Sequence, residues 1–70
     1  MAGSGKGKLV YHVYLTGGVY LGPAHSLTQA EVALSFVSRS FDPGETIGCI
    51  WVQRGDGPRH LVKSVKRAHK

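Results

Sequence analysis

Seventy residues make one domain near the lower size limit for folding alone, because so short a chain buries only about 60% of its unfolded surface. Its single cysteine, Cys49, excludes an internal disulfide, and with four irregularly spaced histidines it argues against a zinc knuckle. The formal net charge of +5 points toward an anionic partner, either nucleic acid or an acidic protein surface.

The charge is segregated. Glu31, Asp42, Glu45 and Asp56 all lie mid-chain, while RHLVKSVKRAHK at the end holds Arg59, Lys63, Lys66, Arg67 and Lys70 with no acid. The apolar run Ile50-Trp51-Val52 is far shorter than the ~20 residues of a membrane helix. His12 and Thr16 interrupt the early apolar stretch, so no signal-peptide core is expected. These features, and the lone thiol, fit a cytoplasmic protein with no membrane partner.

Residues 1–8 are Gly, Ser, Ala and Lys after the first Met, too polar to offset the entropy of ordering, and are expected to form a basic, disordered tail. LVYHVYLT (9–16) alternates, with Leu9, Tyr11, Val13 and Leu15 on one face and Val10, His12, Tyr14 and Thr16 on the other, which predicts a strand. Gly17-Gly18 supplies a two-residue turn, and Val19–Leu21 returns as a second strand ended by Gly22-Pro23.

A helix follows. Thr28 and Glu31 have the spacing of a capping box, with Leu27 and Val32 placed as a hydrophobic staple. Ala30, Ala33, Leu34, Val37 and Phe41 form one apolar stripe, Phe36 flanks it, and Asp42-Pro43-Gly44-Glu45 ends the helix. TIGCIWVQ (46–53) predicts a third strand, apolar on both faces and so central or part of an oligomer contact. RGDGP turns the chain at Asp56-Gly57. RHLVKSV then reads as a fourth strand, since Asp-Gly is a strong hairpin signal, with a basic amphipathic helix from Pro58 as the alternative. The expected fold is α+β in the order β-β-α-β-β: a basic tail at 1–8, one domain over 9–66 and a basic tail at 67–70.

No catalytic motif stands out. GSGKGK resembles a phosphate loop, but aligning Gly7-Lys8 with its Gly-Lys puts Ala2 at the first glycine and Leu9 at the magnesium hydroxyl. Only Met1 precedes that alignment and a strand follows it, so no helix N-terminus faces a phosphate. Arg54-Gly55-Asp56 reads as turn chemistry rather than an adhesion tripeptide. His12, His25, Cys49 and His60 share no metal-ligand spacing, and Cys49 sits mid-strand, where thiols are usually inert. The four acids sit at a helix start or in turns, where capping and solvation account for them. No catalytic residue, metal or cofactor is expected, and the chain reads as a binding protein rather than an enzyme.

Two functional expectations remain. In the first, Arg59, Lys63, Lys66, Arg67 and Lys70, with Lys6 and Lys8 of the N-terminal tail, contact nucleic-acid phosphates, and aromatic side chains such as Tyr14 stack on bases. The recognition signature of RRM domains is absent. In the second, one helix leaves the far sheet face open, and Val10, Tyr14, Ile50 and Val52 there meet a protein partner or a second copy of the chain. That assignment assumes that the helix covers Tyr11, Val13 and Trp51. The element order is similar to that of phage-encoded inhibitors of bacterial RNA polymerase, a likeness that no residue motif carries.

Overall fold

The computed structural model describes residues 8–68. Its elements are β1 (Leu9–Leu15), β2 (Tyr20–Ala24), α1 (Leu27–Val37), a 3-10 turn (Ser38–Ser40), β3 (Thr46–Arg54) and β4 (Arg59–Lys66). The strands form one antiparallel sheet in the order β2-β1-β3-β4. The α+β architecture is as the sequence implies, residues 59–66 form a strand rather than a helix, and β3 is central. Of the tail expected to be disordered at 1–8, residues 1–7 lie outside the described residues, while Lys8 is tied to the β3–β4 turn through its carbonyl, which accepts from the Gly55 N–H.

Local chemistry explains the shifted boundaries. The helix starts two residues earlier than Thr28 would set it, because Ser26 is the N-cap and its Oγ accepts from the Gln29 N–H at 3.1 Å. Gln29 Oε1 accepts in turn from the His25 N–H at 2.9 Å, so Ser26 and Gln29 take the roles expected of Thr28 and Glu31. The α-helix stops at Val37, where Ser38 Oγ donates to the Ser35 carbonyl at 2.8 Å and the chain tightens into the 3-10 turn that carries Phe41. β2 runs through Gly22 and Pro23 instead of ending there. It is an edge strand, where a residue without an N–H is tolerated, and Leu21 is the unpaired residue of a bulge that bends it. The connection between β1 and β2 spans residues 16–19, with Gly17 and Gly18 both at positive φ, rather than a two-residue turn.

The core is small. Val13, Ala24, Ala30, Leu34, Ile47 and Ile50 are buried together, with Tyr11, Leu15, Leu27, Val37, Phe41 and Val65 packed around them. Ile50 lies opposite Val13, so both point at the helix. This corrects the expected open face: Ile50 is 0% exposed and cannot meet a partner, and Val52, opposite Tyr11, also points to the helix side. Cys49 and Trp51 take the open side in their place, so Trp51 is not under the helix. The reason is register, because β3 is apolar on both faces and pairing with β1 decides which face is covered.

Two features of β3 bring its residues against the helix. Ile47 is the extra residue of a bulge between Thr46, which pairs with Lys66, and Gly48, which pairs with Val65. The bulge lets Ile47 enter the core although alternation with Cys49 and Trp51 would place it outside. At Gly48 a Cβ would lie 2.0 Å from the Tyr14 carbonyl oxygen and 3.0 Å from Leu34 Cδ2. Only a residue without a side chain permits that approach.

The helix covers only part of its face. Its 11 residues span about 16 Å, whereas the nine of β3 run roughly 30 Å. Gly48→Ala is expected to lower stability by at least about 2 kcal/mol, because the added methyl meets backbone rather than a movable side chain. Urea unfolding measures it, and an unchanged midpoint would refute the close approach.

Candidate nucleic-acid interface

The face opposite α1 is ordered by strand alternation into three rows. Tyr20, Tyr14, Cys49 and Ser64 cross the sheet in the first. Pro23, His12, Trp51 and Leu61 make the second, and Val10, Gln53 and Arg59 the third. None of these residues is acidic. Lys66 shares this side by alternation from Ser64.

The rows are bound to one another. The Tyr14 and Tyr20 rings lie 5.0 Å apart at 49°, a tilted aromatic pair. His12 is 7% exposed, with Nδ1 2.9 Å from the Tyr20 hydroxyl and Nε2 3.0 Å from Gln53 Oε1. Gln53 Nε2 donates to the Gly57 carbonyl at 2.7 Å. That bond turns Oε1 toward His12, so Nε2 of the ring carries a hydrogen. The chain Tyr20–His12–Gln53–Gly57 thereby joins the edge strand to the β3–β4 turn and leaves no buried polar side-chain atom unpaired among the described residues.

Arg59 reaches back across two rows and donates from Nη1 to the Tyr14 hydroxyl. Beneath it lies a recess of about 570 Å³, with Tyr14, Trp51 and Arg59 around it and Gly48, Cys49 and Ser64 at its base. Trp51 Nε1 donates to Cys49 Sγ at 3.3 Å within this recess.

The expected phosphate-binding residues divide sharply. Arg59 and Lys66 are exposed on the open side. Lys63 points the other way, opposite Ile50, and its Nζ lies 2.7 Å from Glu31 Oε2 on the helix. Both partners are about 40–45% exposed, so the pair contributes roughly 0–1 kcal/mol and leaves Lys63 a weak phosphate candidate. Arg67 is not a free tail residue. Its N–H donates to the Glu45 carbonyl and its own carbonyl accepts from the Gly44 N–H, both at 2.9 Å. Its guanidinium donates to the carbonyls of Phe41 and Arg39. Arg67 is therefore a tie between the chain end and the α1–β3 connection, and the folded unit extends one residue past 66. Lys8 is exposed, and its carbonyl accepts from the Gly55 N–H at 2.9 Å. Lys6 and Lys70 lie outside the described residues.

Of the expected partner-contacting side chains, Val10 and Tyr14 are on the open side and Ile50 and Val52 are not. Sequence reasoning passed over Gln53 and the bridge that His12 makes between Tyr20 and Gln53. The period-2 series His12–Tyr14 and Cys49–Trp51–Gln53 was the available signal. Among the described residues, no three His, Cys, Asp or Glu side chains are grouped to hold a metal ion. Among the described residues, no helix is long and apolar enough to cross a membrane. Compared with known proteins, the chain matches no family model, no curated protein and no solved structure.

Arg67 and Lys66 are neighbours with opposite expected roles. Arg67→Ala should cost about 1–3 kcal/mol, since it strips donors from a part-buried site. Lys66→Ala should stay within about 0.5 kcal/mol. Equal thermal shifts for the two variants would contradict the division.

Proposed function

We propose that the protein is a non-enzymatic nucleic-acid-binding protein that lays single-stranded nucleic acid across its open sheet face. One observation carries this reading. A sheet face without acids displays Tyr14, Tyr20 and Trp51 beside Arg59 and Lys66. Bases stack on aromatic rings whatever their sequence, and each such contact contributes about 1–3 kcal/mol. Cations along the same path meet the phosphates. A duplex hides its base faces, so stacking favours unpaired strands. The buried His12 network holds the rings in place before binding, which reduces the entropy lost when a strand docks. The ligand contacts thus shift from the terminal cluster as a whole to Arg59 and Lys66, with Lys8 at the near end of β1.

A second reading rests on a different surface. Phe36 is 74% exposed on the helix, beside Val32 at 46% and Leu21 at 41%. Together they line one groove between α1 and β2. Apolar clusters of this kind mark protein contacts, which would make the chain a protein-binding module or small inhibitor.

Fluorescence polarisation with single-stranded and duplex oligonucleotides separates the two. With three or four phosphates neutralised on a single strand, the log–log salt slope should be about −2 to −3, so raising salt from ~50 to ~200 mM weakens binding roughly 15- to 60-fold. Replacing both Arg59 and Lys66 with Gln should flatten the slope by about 1 to 1.5. Phe36→Ser should leave it unchanged. Absence of binding at low salt would overturn the nucleic-acid reading and direct attention to Phe36.

A further inference from the structure

We infer that the recess beneath Arg59 is a subsite for one unstacked nucleobase with its attached phosphate. The inference rests on the nucleic-acid reading for the choice of strand as ligand, but the recess has its own geometry. At about 570 Å³ it falls within the ~300–1,000 Å³ of small-ligand sites. It exists because Cys49 and Ser64, whose side chains point to this face, are short, and only the backbone of Gly48 lies between them and Thr46. Thr16, Gly17 and Gly18 of the β1–β2 connection close one end, and Thr46 adds a hydroxyl.

The lining selects a ligand class. Tyr14 and Trp51 offer aromatic carbon from adjacent strands. The Trp51 N–H is already given to Cys49, so the indole has no donor left to attract a polar group other than by its ring. Ser64 and Thr46 supply hydroxyls that donate or accept at a base edge. A guanidinium has five N–H donors, and the Tyr14 hydroxyl takes one from Arg59, leaving others to pair with an oxyanion. A planar, hydrogen-bonding ring joined to an anion meets all of these features. An aliphatic side chain would leave the guanidinium and hydroxyls unanswered, and a bare phosphate would leave the aromatic walls unused. A free nucleotide and a nucleotide within a strand share this chemistry, and the strand is the ligand inferred.

Trp51 is the chain's one tryptophan, so its fluorescence reports on the recess directly. The full chain is titrated with adenosine monophosphate, with ribose 5-phosphate as the base-free control, and single-strand affinity is measured in parallel. The expected result is saturable quenching by the nucleotide and none by the sugar phosphate. Ser64→Leu, which fills the recess from the exposed edge strand, should abolish the quenching and weaken single-strand binding roughly tenfold. Should that variant fail to fold, Cys49→Met fills the same base from β3 and gives the same readout. Oligonucleotide binding with no quenching by the nucleotide, or with wild-type affinity in the filled variant, overturns the subsite and leaves the open-face reading intact. Quenching by the nucleotide without any oligonucleotide binding keeps the recess, makes free nucleotide its ligand, and overturns the strand reading. Equal quenching by ribose 5-phosphate overturns base recognition.

Discussion

Leu34 reaches β3 at the one position of that strand with no side chain. Gly48 lets the helix and the β1 backbone close on β3 from two directions, with Leu34 above and the Tyr14 carbonyl beside it. In a core of six buried apolar residues among those described, there is no slack elsewhere to absorb a displaced helix. The same contact sets the register between β1 and β3, and the register sends Ile50 inward and Cys49 and Trp51 outward. A slip of one residue would invert every side chain on β3. The recess on the far side of the sheet is thus a product of the packing on the near side.

The two faces meet different physical demands. The helix side is held by apolar burial. The open side is held by polar and aromatic contacts that tolerate water: the tyrosine pair, the His12 bridge, and Arg59 leaning on Tyr14. An open face built from aliphatic side chains would invite self-association in so small a domain. Rings with polar edges stay soluble and still present flat surface. Charge follows the same division, since Lys63 is matched to Glu31 on the helix side while Arg59 and Lys66 face no acid across the sheet.

Much of the architecture was legible in the sequence. Alternation in residues 9–16 and the Asp-Gly turn each act within a few residues and told their elements correctly, whereas the glycine and proline punctuation marked the first hairpin but misplaced the bounds of its turn and of β2. The helix start was ambiguous because Ser26-x-x-Gln29 and Thr28-x-x-Glu31 have the same spacing, and only packing chooses between them. The facing of β3 was not legible, because Ile47, Cys49 and Trp51 look as apolar as Ile50 and Val52. It depends on pairing with a strand on the far side of the helix and on a bulge that leaves no compositional mark. The site was half legible. Aromatic and basic residues could be counted, but a list of cations does not say which donors are consumed. Arg67 gives its own to backbone carbonyls, and Arg59, no different in composition, lies across the recess.

The strand order β2-β1-β3-β4 also bears on how the chain comes together. Each hairpin is local and can form in about 1–10 μs on its own. The seam between them is not, since Leu9 pairs with Arg54 across the whole helix and its connections. Closing that loop costs entropy before any contact rewards it, and non-local pairing of this kind is the slow part of assembly. Both members of the seam are central strands, so the second hairpin meets the helix only once the seam closes. A growing chain that has not yet reached Ile47 holds two of the four strands and a capped helix, with Val13 and Ala24 to pack on but without the Ile47 and Ile50 that complete the cover of Leu34.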